Sequence, residues 1–373
     1  MKKNLLASAL MAALIALPSQ AQEKKATPWF HNIKLSGYAL IQYQYSGQKG
    51  NESNSFDLRL GRVSLDGRFM NDFYWKAQMQ INGNTSTKGT SPRLVDLFAE
   101  WQKYPFFKVK AGQFKIPFTF ENPMNPIDQG FYAYAQNISA LSGFSDRAGG
   151  HASNGRDIGI QLQGDFLKNN NGRNLLHYQV GVFNGQGINV KDVDQRKTVV
   201  GGIWVMPVAG LRIGVFGLEG SYARKGTWTA EDGSEQSGVR SLPQHRYAFS
   251  AEYVTKSDWT FRSEYIHSTG YGFSKNDNTS TTDCSLSTYG NKADGVYALA
   301  IAPIIKKKCH VKARYNMYRR DATWESCKTM YEVGADYSFN KNIGVSAEYM
   351  LVNDRSLADH NYSMADVELQ FRF

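Results

Sequence analysis

The chain has 373 residues, with 43 Lys and Arg against 33 Asp and Glu, 13% aromatic residues, 34 Gly and only 10 Pro. Length alone allows several globular domains or one large unit. The net charge of +10 points to anionic solutes or lipid head groups rather than to nucleic acid, which an exported chain is not expected to meet. No stretch approaches the ~20 consecutive apolar residues of a spanning helix, which excludes a helical membrane protein.

The first residues set the compartment. Lys2 and Lys3 precede an apolar run from Leu5 to Leu17 and a small-residue site at Ser19-Gln20-Ala21, the layout of a secretory signal peptide. The expected organisation is a signal peptide over 1–21, a short periplasmic segment over 22–32 and a single unit over 33–373.

From Ile33 onward the sequence alternates with period 2. Leu35, Gly37, Ala39, Ile41, Tyr43 and Tyr45 fall on one face, and Lys34, Ser36, Gln42 and Gln44 on the other. A strand with lipid on one side and water on the other reads this way. The pattern predicts strands near 33–45, 56–69, 73–83, 93–103, 106–116, 156–167, 174–184 and 197–207, then near 210–222, 244–255, 258–269, 294–305, 308–320, 328–339, 342–353 and 362–373. Sixteen is even, as a bacterial barrel with both termini on the periplasmic side requires.

The connections alternate too. Short links such as Asn71-Asp72 and Lys306 to Lys308 separate longer polar stretches such as Ala223 to Pro243 and Gly270 to Ala293. The last residues place Val367, Leu369, Phe371 and Phe373 on one apolar face, with an aromatic end suited to the membrane interface. The fold class expected is all-β: an up-and-down transmembrane β-barrel of about sixteen antiparallel strands, embedded in outer-membrane lipid.

Cys284, Cys309 and Cys327 are an odd set in an exported chain. Strand counting puts Cys284 and Cys327 in neighbouring outer loops and Cys309 at a periplasmic turn. A Cys284–Cys327 disulfide is therefore expected, with three free thiols as the alternative. No cysteine spacing resembles a metal site, no cofactor motif is present, and no G-x-S-x-G, H-E-x-x-H or P-loop marks an enzyme.

Gly112-Gln113-Phe114-Lys115-Ile116-Pro117-Phe118 followed by Glu121, then Arg156-Asp157-Ile158-Gly159-Ile160-Gln161, then Gly181-Val182-Phe183-Asn184-Gly185-Gln186-Gly187, resemble in order the phosphate-selective porin family of the porin O and P type. The resemblance implies a sixteen-stranded, usually trimeric barrel with a basic pore narrowed by inward-folded loops. It places Arg59, Arg62 and Lys115 beside the constriction. One departure makes phosphate selectivity a weaker implication than the porin fold: Leu60 and Gly61 separate Arg59 from Arg62, where the family has a denser row of arginines.

The stretch from Pro117 to Gly155 is long and aromatic, and is expected to fold into the lumen. The pleat points Arg62, Arg68, Lys76, Lys108, Lys110, Arg246, Arg262, Lys312, Arg314 and Arg320 inward, with Arg59 and Lys115 where their strands change phase. Inward acids are Asp96, Glu100, Glu252, Glu264, Glu332, Asp336, Glu348, Asp366 and Glu368. The pore-lining, anion-binding set expected is Arg59, Arg62, Arg68, Lys76, Lys115, Arg262, Lys312 and Arg314. Two functions follow: a channel for small hydrophilic solutes, leaning toward anions such as phosphate, or a surface-binding or adhesion barrel with a closed lumen.

Overall fold

The computed structural model describes residues 29–82, 92–143, 154–274 and 282–373. The predicted signal peptide lies outside the described residues. Sixteen strands follow in chain order: β1 (Phe30–Ser46), β2 (Ser53–Phe69), β3 (Phe73–Gln80), β4 (Arg93–Tyr104), β5 (Phe107–Lys115), β6 (Arg156–Lys168), β7 (Asn174–Phe183) and β8 (Thr198–Val205) come first. Then come β9 (Leu211–Thr229), β10 (Glu235–Val254), β11 (Thr260–Thr269), β12 (Lys292–Ile305), β13 (Cys309–Arg319), β14 (Cys327–Ser338), β15 (Ile343–Asp354) and β16 (Asn361–Arg372). Each pairs antiparallel with its sequence neighbours, and β1 pairs with β16 to close the barrel. Closure leaves no edge strand, which is what a sheet needs in hydrocarbon, where water cannot satisfy unpaired backbone groups.

The alternation in sequence becomes the two faces of the wall. Leu58, Ile160, Val215, Phe249, Tyr331, Val333 and Leu351 are exposed on the outside, while Gln78, Glu100, Arg262, Glu264, Arg314 and Glu332 are buried inside. No helix among the described residues is long and apolar enough to cross a membrane. One end of the barrel carries short turns and the other carries long connections; these are called the turn end and the loop end.

Several boundaries differ from the sequence reading, and β2 starts at Ser53 rather than near 56. β1 starts at Phe30, so the wall reaches into the segment expected to precede it. β3 ends at Gln80. The stretch from Ala223 to Pro243, expected as a loop, is a continuation of the β9–β10 hairpin, paired without interruption from Leu211↔Tyr253 to Thr229↔Glu235. Its neighbours stop sooner: β8 pairs with β9 only as far as Glu219, and β11 with β10 only as far as His245. A ribbon that no neighbouring strand flanks packs only where a distant loop reaches it, here Tyr222 and Leu242 against Phe273 and Cys284, so its residues show no regular hydrophobic alternation to read.

The expected Cys284–Cys327 disulfide is not formed; all three cysteines are free. Cys284 is turned toward the β9–β10 hairpin, packed with Tyr222, Leu242 and Phe273 and anchored by its N–H to the Thr227 carbonyl at 2.8 Å. Cys327 opens β14 and pairs with Arg319 of β13. The hairpin extension, which periodicity could not reveal, draws the Cys284 loop away from β14.

Candidate functional site

After β5 the chain turns into the barrel. Segment 116–143 holds a 3-10 turn at Pro126–Asp128 and one short helix, α1 (Gln136–Leu141). Its apolar side chains face the wall: Ile116, Phe118, Phe120, Phe131, Tyr134, Ala135, Ile138 and Leu141 join Phe183, Val200, Phe216, Leu218, Ala248, Ile266, Tyr297 and Leu299 in one core. Phe120 stands edge-on to Trp204 and Phe216 at 5.5 and 5.3 Å between ring centres. Each fully buried Phe contributes about 1.5–3 kcal/mol, so this half of the lumen is a packed interior rather than water. Close approach is possible at Gly295 of β12, where a Cβ would lie 2.8 Å from that of Asn137 in α1.

Polar bonds complete the seat. The row of paired wall residues Glu252, Arg262, Leu299, Arg314 and Glu332 lies directly beneath the segment. Arg262 bridges Glu252 at 2.7 Å and Glu121 of the loop at 3.1 Å. Arg314 forks onto Glu332 and donates to the Ala133 carbonyl at 2.9 Å. Lys312 pairs with Glu348 at 2.6 Å and donates to the Gly130 carbonyl at 2.7 Å. Glu348 also accepts the Tyr132 N–H. Lone buried charges would be prohibitive; paired and bonded to backbone, they are tolerated.

Across the lumen the wall is basic. Arg62 donates to the Tyr38 hydroxyl at 3.0 Å and to Gln80, and among the described residues no carboxylate lies within ion-pair distance of it. Lys115 and Arg156 are register partners at the point where β5 leaves the wall. The Lys115 ammonium caps the carbonyls of Asn122 and Met124 and donates to the Tyr134 hydroxyl. It lies within electrostatic reach of both Arg62 and Arg156. Arg156 forks onto Asp96 at 2.6 and 3.1 Å. The loop crosses this wall closely, leaving Arg62 and Arg156 only 1% and 2% exposed. Residues 117–143 contain Glu121 and Asp128 but no Lys or Arg, so in that stretch the positive charge comes from the strands alone.

A profile of Gram-negative porins matches residues 7–357. The chain belongs to the Gram-negative porin family. Its barrel is similar to an anion-selective porin from Comamonas acidovorans, at 13% identity and a TM-score of 0.65, covering 92% of this chain and 99% of that one. It is also similar to the outer membrane channel DcaP of Acinetobacter baumannii, at 12% identity and a TM-score of 0.59, covering 95% and 100%. The trimer form of OmpT, an outer membrane protein of Vibrio cholerae, matches at 11% identity and a TM-score of 0.58, covering 92% and 99%. No curated protein matches by sequence. Family and fold together make this a porin-like channel of the bacterial outer membrane, its turn end periplasmic and its loop end outside.

In this porin the eight expected lining residues divide in two. Arg59, Arg62, Arg68, Lys76 and Lys115 belong to the β2–β5 wall. Arg59 keeps an inward course because β2 carries a bulge opposite Leu40 and Ile41, and it pairs with Glu368 at 2.5 Å. Arg68 sits near the turn end, with a long bond of 3.4 Å to the Asn71 carbonyl. Lys76 is half-buried between its partners Asp66 and Phe98. Arg262, Lys312 and Arg314 correct the expectation: they are buried beneath the loop and hold it, and Arg62 is covered by the loop as deeply, so none of the four lines open water and Arg62 acts on the lumen through its field. Arg320 lies past the end of β13 and donates to the Tyr289 hydroxyl. Arg156 was not among the expected lining residues, although it opens the R-D-I-G stretch that carries part of the family resemblance.

Proposed function

We propose that this porin carries small hydrophilic solutes by passive diffusion with a preference for anions, phosphate among them. The observation that carries the reading is the convergence of Arg62, Lys115 and Arg156 on one wall, facing a loop stretch that supplies no cation of its own. A field set up by fixed charges in a low-dielectric constriction is focused, so a wall with more cations than carboxylates governs which ions enter. The resemblance to phosphate-selective porins in the Gly112 to Glu121 stretch supports phosphate specifically, and the fold of an anion-selective porin is compatible with it. Removal of residues 1–21 on export and assembly as a homotrimer complete the proposal, the latter supported by a similar barrel recorded in trimer form.

Single-channel recording in a planar bilayer tests it. Stable open steps are expected, with a reversal potential in a KCl gradient on the anion side and a current reduced by added phosphate. Arg62→Ala or Lys115→Ala shifts the reversal potential toward cations. Unchanged reversal potentials in both variants, with normal insertion, would remove the basic wall from the selectivity mechanism. A second reading, a lumen shut by its own loop beneath a surface-binding rim, draws on the near-complete burial of Arg62 and Arg156 and on the β9–β10 ribbon above the rim. Absence of open steps from well-folded protein favours it.

A further inference from the structure

Glu264, at the middle of β11 and far from the basic wall, is fully buried, and its carboxylate is surrounded by four donors. Two are backbone groups of the lumen loop: the N–H of Phe120 at 2.7 Å and that of Glu121 at 2.8 Å. The others are wall hydroxyls, Ser250 of β10 and Tyr297 of β12, the latter at 2.8 Å. One wall carboxylate thus takes two successive loop amides. The residue just before them, Thr119, has φ of +65°, a left-handed conformation that a β-branched side chain rarely adopts. That backbone turn aims both amides at Glu264, whose two carboxyl oxygens each accept one of them.

The next residue extends the clasp. Glu121 turns its carboxylate back to accept the Ala135 N–H at 2.9 Å and to pair with Arg262, tying the inward limb of the loop to its returning limb. The same inward limb carries the carbonyls of Asn122 and Met124 that hold the Lys115 ammonium. A continuous set of bonds therefore runs from β11, through residues 120–124, to a cation on the opposite wall.

We infer that Glu264 is the positioning residue of the channel: by fixing the amides of Phe120 and Glu121 it sets both the bore left by the loop and the location of the Lys115 charge. The inference deepens the anion-channel reading and rests on it. Glu264 touches no solute; it acts through the loop.

The test is a graded series on the full-length porin in planar bilayers, with barrel integrity read in parallel by heat-modifiable migration. Glu264→Gln keeps one acceptor oxygen for the loop amides and is expected to behave between wild type and Glu264→Ala. Glu264→Ala removes the acceptor, and is expected to raise unit conductance, add open-channel flicker and shift the reversal potential toward cations. Phe261→Leu, on the outward face of the same strand, touches none of these bonds and keeps wild-type conductance and selectivity. A purely structural role predicts something else: less folded barrel, with each inserted channel conducting as wild type. Folded Glu264→Ala channels with wild-type conductance and reversal potential would overturn the inference. Failure of wild-type protein to conduct, or to favour anions, would instead overturn the anion-channel reading.

Discussion

Arg262 shows how a residue type can be legible and its role not. Its inward direction follows from the pleat of β11, but its partner Glu121 lies 141 positions away on a loop whose course no periodicity encodes. Arg262→Ala leaves Glu121 buried without its cation, and breaking such a pair costs about 3–5 kcal/mol. A lower urea midpoint for the folded barrel in detergent, compared with Ser250→Ala as a mild control, checks it. The cysteines give a second expectation at this scale. Burial pushes the Cys284 thiol up, away from the reactive thiolate, and Cys327 is buried as well, whereas Cys309 is partly accessible. Maleimide should modify Cys309 first on native protein. Equal rates at all three would contradict the packing around Cys284.

Among the elements, those with one lipid face and one inner face were readable, because each such strand repeats the same choice every second residue. β4, β13 and β15 appear in sequence nearly as they stand in the barrel. The β9–β10 ribbon was not readable, since beyond Glu219 no strand flanks it and the side carrying Gly226 and Trp228 is covered by a loop distant in sequence. Turns are set by local chemistry. Asp258, between β10 and β11, accepts the Lys307 N–H at 2.6 Å and faces His310 at 3.1 Å, joining two neighbouring periplasmic turns. The hydrogen bond from His310 holds the Asp258 carboxyl below its usual range. A depressed carboxyl contributes stability that is present above its unfolded pKa of about 3.9 and is lost as pH falls through the lower folded value. Hydrogen exchange at the Lys307 amide should therefore stay protected from neutral pH down to about 4 and lose protection below it, whereas Asp258→Asn should show little pH dependence over that window. Protection that disappears well above pH ~4 would assign it to another group.

For the molecule as a whole, everything depends on closing the sheet between its first and last strands. The lumen loop packs chiefly on β7 to β12, and closure brings Arg372 of β16 within 2.7 Å of Asp128 of the loop. At the seam, Gly37 and Phe373 exchange both backbone bonds at 3.1 Å. The Phe373 ring lies over Gly37: a Cβ there would fall 2.4 Å from the ring and 2.6 Å from the Arg62 carbonyl. The terminal aromatic residue thus does two jobs, anchoring the interface and covering a glycine that leaves room for it. Gly37→Val forces the ring aside and presses on the β2 backbone as well. Overpacking of this kind costs about 1–3 kcal/mol, and here it falls on the pairing that completes the barrel. The expected result is slower acquisition of the heat-modifiable form during refolding into detergent and a lower melting temperature for what folds. Phe373→Ala in the same background removes the ring but not the clash with the Arg62 carbonyl, so it should recover part of the loss and not all of it. Full recovery would place the whole conflict on the ring, and no recovery would place it on the backbone of β2.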